Sequence, residues 1–354
     1  MKILITGICG FVGSSLALEL RRQIEGLELL GFDNLSRPGS ELNRQPLKAN
    51  GVRLMHGDVR NPSDLESLPK VDWVIDAAAN PSVLAGVAGQ TSSRQLMEHN
   101  LFGTVHLLEY CKRHGAGLVL LSSSRVYSQA RLAALPMESG VGAFAPRFSA
   151  INEAGLSARG VSEDFSTEPP ISLYGSAKLA SEALALEYGS AFNFPVHVNR
   201  CGLLAGAGQF GKADQGIFSF WVHSYRQKRP LKYIGFDGAG HQVRDCFHPR
   251  DLAVLVADQL RHPEKAGKGL NVGGGTSNSL SLWQLSQWCA RRFGVHNIAS
   301  EPAPRPFDIP WLVLDCRRAE AEWNWRPGTK IESILEEIAR HADQHPEWLD
   351  ISAD

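Results

Sequence analysis

Tyr174 and Lys178 stand four residues apart in the stretch Tyr174-Gly175-Ser176-Ala177-Lys178, which the pattern places at the start of a helix. Residues with this spacing share one face of a helix, so the two side chains would be neighbours. A phenol is a poor base at neutral pH, but an ammonium group one turn away stabilises its phenolate form. The pair therefore indicates removal of a proton from a hydroxyl group, although alone it also fits an exposed tyrosine and a solvated lysine.

A run of three serines, followed by Arg125-Val126-Tyr127, lies at the end of a predicted strand. A serine hydroxyl at this place could hydrogen-bond the substrate oxygen that Tyr174 deprotonates. Serines at the end of a strand are otherwise ordinary turn residues. The run therefore gains meaning from the tyrosine and lysine rather than from its own composition.

A glycine-rich turn, Gly7-Ile8-Cys9-Gly10-Phe11-Val12-Gly13, follows the first predicted strand and opens the first predicted helix. In this context the pattern is typical of dinucleotide binding. Gly7 would allow a tight turn, Gly10 would let a pyrophosphate approach the backbone, and Gly13 would let the helix pack closely on the strand. The helix N-terminus then offers free N–H groups to phosphate. A purely structural glycine turn is the alternative.

Asp33 ends the second predicted strand, 20 residues after Gly13. A carboxylate at this place accepts hydrogen bonds from the adenosine ribose diol and repels a 2′-phosphate, so NAD is favoured over NADP. Arg37 nearby keeps NADP open as an alternative. Asp58, after the third strand, could bind the adenine amino group or could be a solvated turn residue.

Short apolar runs alternate with amphipathic segments, a pattern that predicts βαβ units and a parallel sheet. The predicted strands are Lys2 to Thr6, Leu27 to Phe32, Val52 to His56, Trp73 to Ala77, Leu118 to Ser122 and Val196 to Cys201. The predicted helices are Phe11 to Ile24, Ser92 to His114 and Tyr174 to Tyr188. The predicted fold class is α/β, a Rossmann-type doubly wound parallel sheet whose strand ends line one ligand crevice.

The rhythm changes twice along the chain. Residues 129–170 are rich in Gly and Pro and predict a long surface excursion without regular structure, which we interpret as a lid. Beyond Cys201 the alternation weakens, which predicts a smaller C-terminal α/β substrate lobe. We therefore divide the chain into an NAD-binding domain, residues 1–201, and a mainly substrate-binding lobe, residues 202–354, interleaved with the sheet.

Composition excludes several classes of protein. With 354 residues, 43% of them apolar and 21% charged, the chain is too long for a disulfide mini-domain and too apolar for wholesale disorder. Its net charge of −1 provides no field for nucleic acid or an anionic membrane. Six scattered cysteines form no CxxC pair and the twelve histidines form no HExxH motif, so we predict reduced thiols and no metal site.

Targeting signals are also not expected. The first apolar stretch is too short for a signal peptide, and no uninterrupted apolar run reaches the roughly 18 residues that span a bilayer. Together with the scattered cysteines, this predicts a cytoplasmic protein without a membrane partner.

The motifs, in this order, make the chain resemble the extended short-chain dehydrogenase/reductases, specifically their NAD-dependent sugar-nucleotide epimerase/dehydratase branch. The resemblance extends from Met1 to about Ile338. Further matching stretches are Gly57-Asp58-Val59, Asn100-Leu101-Phe102-Gly103-Thr104, Gln242-Val243-Arg244-Asp245 with His248 and Asp251, Asn271-Val272-Gly273-Gly274-Gly275, and Arg305-Pro306-Phe307-Asp308-Ile309-Pro310. It implies NAD as the cofactor, a nucleotide-diphosphate sugar as the substrate and a homodimer, for which the helical segment near Ser92 to Lys112 could supply the face.

The resemblance also implies the site residues. Tyr174 and Lys178 would act as the base, and Ser123, three residues before Val126, would be the catalytic hydroxyl, with Ser124 as the second choice. The expected substrate contacts are Arg125, Gln209, Arg244 and Arg305, of which Arg244 and Arg305 would hold the diphosphate. The expected cofactor contacts are Gly7, Gly10, Phe11, Val12, Gly13, Asp33, Asn34, Ser36, Asp58, Val59, Ala77, Ala78, Ala79, Asn100, Tyr174, Lys178 and Cys201.

Departures from the family pattern reduce the number of reactions that we expect from this chain. The 4,6-dehydratases carry an Asp-Glu pair after the catalytic hydroxyl, where this chain has Ser124-Arg125, so dehydration is disfavoured. Arg125 itself could contact a substrate anion or pair with an acid of the excursion. Leu203 and Asp76 replace an Asn and a His of many relatives, which leaves individual sugar contacts open.

Several stretches are most similar to CDP-tyvelose (CDP-paratose) 2-epimerases, which favours inversion at C2. They are Phe32-Asp33-Asn34-Leu35-Ser36-Arg37, the long excursion, Asp214-Gln215-Gly216 with Trp221, and Gly273-Gly274 leading to Asn278-Ser279-Leu280-Ser281-Leu282. The implied reaction is oxidation of the sugar by NAD⁺ to a ketone, followed by return of the hydride to the opposite face. The alternatives are a nucleotide-sugar 4-epimerase, a reductase or dehydratase of the same family, and a non-catalytic NAD-binding regulatory protein.

Overall fold

The computed structural model describes residues 1–87 and 91–353. Seventeen strands occur in these ranges. They are numbered β1 to β17 in the order Lys2–Thr6, Glu28–Asp33, Arg53–His56, Trp73–Asp76, Gly117–Ser123, Met137–Ser139, Phe144–Pro146, Leu156–Ser157, Gly160–Val161, Val196–Cys201, Leu203–Leu204, Leu231–Ile234, Val243–Phe247, Gly269–Val272, Ser279–Ser281, Ile298–Glu301 and Trp311–Leu312.

Thirteen α-helices connect or flank these strands in the described ranges. They are numbered α1 to α13 in the order Phe11–Gln23, Arg44–Ala49, Pro62–Glu66, Ser93–Met97, Gly103–His114, Gln129–Ala133, Leu173–Phe192, Ile217–Arg226, Pro249–Arg261, Leu282–Phe293, Arg317–Trp323, Ile331–Gln344 and Trp348–Ile351. A π-helical turn, Glu98–Phe102, joins α4 to α5, so the two form one continuous helical segment.

Seven strands form the central sheet in the order β14-β10-β5-β4-β1-β2-β3, and every pair is parallel. The apolar side chains of β1 are buried because helices cover both faces of the sheet. One face packs against α1, α9 and α11, and the other against α3, α5 and α7. This arrangement confirms the predicted doubly wound α/β fold.

The register of the sheet brings the chemistry-bearing segments to one edge. Thr6, the last residue of β1, pairs with Phe32 of β2 and with Asp76 of β4. Ser123, the last residue of β5, pairs with Cys201 of β10. Since the strands are parallel, the segments that follow them all emerge on the same side of the molecule.

A second group of elements stands over this edge. Strand β13 pairs with β11 and β17 in parallel and with β15 in antiparallel fashion, and β12 pairs with β16. Helices α8, α10 and α12 pack on these strands around a separate apolar core. The segment after residue 201 is interleaved with the central sheet, because β14 is a strand of that sheet and α9 packs on it. The division at residue 201 remains a prediction. Residues 88–90 and 354 lie outside the described ranges.

Residues 129–170 are more ordered than the sequence predicted. They contain α6 and two hairpins, β6–β7 and β8–β9, and Leu132 and Phe165 are buried in a core shared with Trp311. Val161 donates its N–H to Val313 O at 2.8 Å and accepts the N–H of Asp315 at 2.9 Å. The expectation of an excursion without regular structure is therefore wrong, because backbone pairing to a distant segment supplies its order. Its action as a lid remains a prediction.

Replacing Gly13 with alanine is expected to reduce stability, because a Cβ atom on Gly13 would lie 2.3 Å from Gly7 O and 2.8 Å from Ile8 Cα. Helix α1 would have to move away from β1, at a cost of about 1–3 kcal/mol in the free energy of unfolding. Urea unfolding measures this loss, and NAD titration should show weaker binding. Gly140→Ala is the matched control, since its Cβ would lie 3.6 Å from the nearest atom; equal stability of both variants would contradict this account.

Candidate active site

A cavity of about 720 Å³ lies at the carboxyl edge of the sheet, between the sheet and the second group of elements. All but two of the predicted site residues line it. They are Gly7, Gly10, Phe11, Val12, Gly13, Asp33, Asn34, Ser36, Val59, Ala77, Ala78, Ala79, Ser123, Ser124, Arg125, Tyr174, Lys178, Cys201, Gln209, Arg244 and Arg305. Residues separated by nearly 300 positions in the chain thus share one cavity.

The glycine turn has the geometry of a phosphate cradle. Gly7 has a φ of +61°, and a Cβ there would lie 2.9 Å from Ala77 O. Gly10 is the N-cap residue of α1 and has no side chain to accept the first N–H groups of the helix. The first residues of α1 line the cavity, so these N–H groups are available to a phosphate there. The tight turn at Gly7 and the uncapped start of α1 therefore suit a dinucleotide pyrophosphate.

Asp33 lies at the far end of this half of the cavity. Its carboxylate accepts the N–H groups of Cys9 and Leu35, each at 2.8 Å. Burial raises the pKa of Asp33 above its usual value, and the two backbone hydrogen bonds oppose that rise. Arg37 also lines the cavity, but its guanidinium donates to Phe210 O and to Gln215 Oε1. Arg37, the residue that left NADP as an alternative cofactor in the sequence analysis, is thus hydrogen-bonded to the loop that follows β11.

Tyr174 is the second residue of α7, whose first turn is capped by the Ser172 hydroxyl accepting the Gly175 N–H at 3.0 Å. A Cβ on Gly175 would lie 2.3 Å from Arg125 O, so the helix start packs directly on the turn after β5. Lys178 is 3% exposed and donates from Nζ to Leu121 O at 3.0 Å. Lys178 Nζ therefore reaches the strand that ends in the serines, and the start of α7 packs on the turn after that strand. The pairing of the phenol with the ammonium group remains a prediction.

The three serines after β5 have different partners. Ser122 is buried and donates to Glu182, which also forms an ion pair with Arg200 at 2.8 Å. Ser123 Oγ accepts the N–H of Arg125 at 3.1 Å, and Ser124 begins a short 3₁₀ turn. Both Ser123 and Ser124 line the cavity, so the choice between them as the catalytic hydroxyl remains a prediction.

Three arginines line the end of the cavity beyond Tyr174. Arg244 forms an ion pair with Asp308 at 3.2 Å, and burial lowers the pKa of its guanidinium. Arg305 donates to Ala213 O at 3.4 Å. Burial, with repulsion from Arg244 as the next cause, lowers the pKa of Arg125 to about 9. This end of the cavity is strongly cationic.

Two predicted residues do not line the cavity. Asp58 is held by Arg60 at 2.6 Å and accepts the side-chain N–H of Asn34 at 2.9 Å, which lowers the pKa of Asp58 well below its usual range. Asn100 is buried and bonds both the N–H and the carbonyl of Asn80. The amide of Asn100 therefore fastens the loop after β4 and Asp58 steadies Asn34, so direct contact of either residue with a cofactor remains a prediction.

The sequence analysis did not assign several polar residues of the wall to the site, among them Gln242 and His99. Gln242 donates to Asp308 Oδ2 at 3.1 Å, while its Oε1 is buried without a partner among the described residues. The signal was its position two residues before Arg244, since alternate strand residues share a side. His99 also lines the cavity, and burial lowers its pKa. Nothing in the local sequence distinguishes His99 from an ordinary helix residue.

Two further searches cover the described residues. No helix in them is long and apolar enough to cross a membrane. No group of three His, Cys, Asp or Glu side chains in these ranges has a metal-binding arrangement.

Comparison with known proteins gives consistent results. Residues 3–273 match the model of the family described as "NAD dependent epimerase/dehydratase family". The chain is 29% identical to CDP-paratose 2-epimerase of Salmonella typhi, over 96% of this chain and 98% of the relative. It is 25% identical to UDP-glucuronate 4-epimerase of Thermodesulfobacterium geofontis, over 98% and 97% respectively.

Solved structures share the fold. The UDP-glucuronic acid 4-epimerase from Bacillus cereus, in complex with UDP-glucuronic acid and NAD, superposes with a TM-score of 0.77 at 23% identity. The similarity covers 97% of this chain and 99% of that one. The shared architecture therefore includes both the sheet and the elements that stand over its carboxyl edge.

Proposed function

Because the chain belongs to the NAD dependent epimerase/dehydratase family, with NAD as its cofactor, we propose that it inverts one stereocentre of a nucleotide-diphosphate sugar. The carbon we assign is C2, as in CDP-tyvelose (CDP-paratose) 2-epimerases. The observation that carries the proposal is the single cavity in which the glycine turn, the Tyr174–Lys178 pair and three arginines meet.

The cofactor end of the cavity has a defined set of ligands in this proposal. The turn Gly7 to Gly13 and the start of α1 hold the pyrophosphate, and Asp33 accepts the ribose hydroxyls. Bound NAD supplies a reversible hydride acceptor for transient oxidation of the sugar. Lys178 is buried and donates to Leu121 O, and its position one helical turn after Tyr174 supports its assignment as the charge that stabilises the phenolate.

Tyr174 handles the proton of the hydroxyl group on the reacting carbon. Its phenolate accepts the proton of the sugar hydroxyl, the Lys178 ammonium group stabilises the negative charge, and the hydroxyl of Ser123 holds the same sugar oxygen. Tyr174 is 7% exposed, so little water competes for the proton. When the sugar is reduced again, Tyr174 returns the proton, and no net acid or base is consumed.

Inversion requires the sugar to turn while its nucleotide stays in place. Arg244 and Arg305 suit this anchoring role, because guanidinium groups bind phosphate oxygens in pairs and these two line the same end of the cavity. The ketone is flat at the oxidised carbon, so the opposite face can be reduced after the turn. The substrate leaves as its epimer.

C2 is assigned on the similarity to CDP-paratose 2-epimerase, which extends over 96% of the chain. The second candidate is inversion at C4, which the 25% identity to UDP-glucuronate 4-epimerase favours. Ser124-Arg125 in place of an acid pair disfavours dehydration. The presence of Tyr174, Lys178 and Ser123 in one cavity supports an enzyme rather than a regulatory NAD-binding protein.

The test is turnover of a panel of CDP-, UDP- and dTDP-sugars, followed by NMR of the sugar protons without added NAD. The expected result is conversion of CDP-paratose to CDP-tyvelose, in which the sugar keeps its CDP group. Conversion at C4 of another sugar would replace the C2 assignment. Absence of any conversion by protein that binds NAD would contradict the enzyme itself.

Replacing Asp33 with asparagine is expected to reduce the preference for NAD over NADP by about tenfold to a hundredfold. The variant removes the charge that repels a 2′-phosphate but keeps an oxygen that can accept a backbone N–H. Isothermal titration with both dinucleotides measures the ratio. Asp72→Asn, on the surface near Lys2, is the control. An unchanged ratio in Asp33→Asn would show that Asp33 does not face the ribose.

A further inference from the structure

Arg125 lies between the predicted catalytic residues and the other two arginines of the cavity, Arg244 and Arg305. Its N–H donates to Ser123 Oγ at 3.1 Å, and its carbonyl packs against Gly175 beside Tyr174. Its half-buried side chain extends along the cavity, with Nη1 3.5 Å from Phe307 O. The backbone of Arg125 thus belongs to the catalytic turn while its guanidinium reaches the cationic end.

No carboxylate in the described part of the chain forms an ion pair with Arg125. The nearby acid, Asp308, pairs with Arg244 instead. Acids of the excursion bind other partners, since Glu153 and Glu168 both pair with Arg131. The alternative in which Arg125 pairs with an acid of the excursion is therefore wrong. A half-buried cation without a counter-ion is unfavourable, so its place in the cavity indicates a ligand anion.

Two of the guanidinium groups reach one segment, residues 305–308, and the third belongs to a residue of this segment but donates to Ala213 O. Arg125 bonds Phe307 O, Arg244 pairs with Asp308, and Arg305 is itself the first residue of the segment. These three arginines and Asp308 carry a net charge of +2, and the charges of Lys232 and Asp214, which also line the cavity, cancel each other. The excess is equal and opposite to the charge of a diphosphate diester.

We propose that Arg125 is a third ligand of the substrate diphosphate, placed on the side of that group nearest Tyr174. The inference rests on the proposed function in so far as a nucleotide diphosphate is the ligand. A guanidinium at this position fixes the distance between the anchored phosphates and the base. It therefore limits the sugar to rotations that keep the reacting carbon beside Tyr174.

The test is titration of NAD-loaded wild-type protein and Arg125→Gln with CDP, UDP and dTDP, which carry no sugar. For the diphosphate that the wild type binds best, the variant should bind about 10- to 100-fold more weakly, as expected for loss of a charge-assisted hydrogen bond. Arg125→Lys keeps the positive charge but not the paired N–H donors of the guanidinium group, so it should lose less affinity for the diphosphate. This variant replaces Arg125→Gln if the glutamine variant does not fold. Arg131→Gln, outside the cavity, is the matched control.

Two outcomes would overturn the role of Arg125 without touching the proposed function. If the variant binds all three diphosphates normally but binds UDP-glucuronate less tightly than the wild type does, the anion is a sugar carboxylate. If every ligand binds normally, Arg125 has a structural role only. If the wild type binds none of the diphosphates, both this inference and the proposed function fail.

Discussion

Replacing Tyr174 with phenylalanine is expected to lower kcat by about a thousandfold while leaving NAD binding close to that of the wild type. The variant removes a single oxygen from a ring that is 7% exposed and keeps the packing of α7 on the turn after β5. The proton of the sugar hydroxyl then loses the acceptor that this account assigns to it. Single-turnover measurement with the identified nucleotide sugar, beside NAD titration, separates loss of chemistry from loss of binding.

Tyr127→Phe is the matched control for this variant. Tyr127 is also buried, but its hydroxyl donates to Asn271 Oδ1 at 2.6 Å and it is not part of the cavity wall. Its loss should reduce stability, because a buried amide oxygen loses a partner, and should leave kcat within a few-fold of the wild type. Near-normal turnover by Tyr174→Phe would remove the base from the mechanism.

Replacing Lys178 with methionine is expected to lower kcat by about a hundredfold and to weaken NAD binding as well. The ammonium group is 3% exposed and donates to Leu121 O, so the variant removes the charge that stabilises the phenolate together with this hydrogen bond. Methionine fills a similar volume, which limits the structural cost. Steady-state kinetics at several NAD concentrations separates the two effects.

The exposed Lys112, which pairs with Glu109 on α5, provides the control for removal of a lysine charge. Lys112→Met should behave as the wild type in both turnover and NAD binding. If Lys178→Met kept its kcat and lost only NAD affinity, Lys178 would be a cofactor ligand without a part in proton transfer. The stabilisation of the phenolate would then need another source.

Local patterns predicted the first half of the fold well. The strand predicted over Leu27 to Phe32 is Glu28–Asp33, and the helix predicted over Phe11 to Ile24 is Phe11–Gln23. Strand β2 is buried on both faces and shows a continuous apolar run, and α1 buries one apolar face with Leu16, Ala17 and Leu20, so both patterns are strong. The ends differ by one residue because an element boundary depends on hydrogen bonds that periodicity does not specify.

Two short strands with distant partners were not predicted. Strand β14, Gly269–Val272, joins the edge of the central sheet beside β10, 68 residues after Cys201. The short strand Gly160–Val161 is held by Val313 and Asp315. Four-residue and two-residue strands carry little periodicity of their own, and their order comes from partners that the sequence pattern does not reveal.

The sequence was most informative about the candidate site where a residue type at a given spacing is typical of one function. The glycine turn, Asp33 and the spacing of Tyr174 and Lys178 led to a shared cavity. Arg125 could not be interpreted from the sequence, because its meaning depends on whether an acid lies beside it. Asn100 was assigned to the cofactor, but its amide bonds the Asn80 backbone instead of reaching the cavity wall.

The central claim is inversion by transient oxidation in the cavity that contains Tyr174. The most direct measurement follows deuterium placed at the inverting carbon of the nucleotide sugar that the panel identifies, with turnover in ordinary water. The account predicts an inverted product that retains the deuterium at that carbon, because the same hydrogen leaves and returns without contact with solvent. Inverted product in which solvent hydrogen has replaced the deuterium would contradict it.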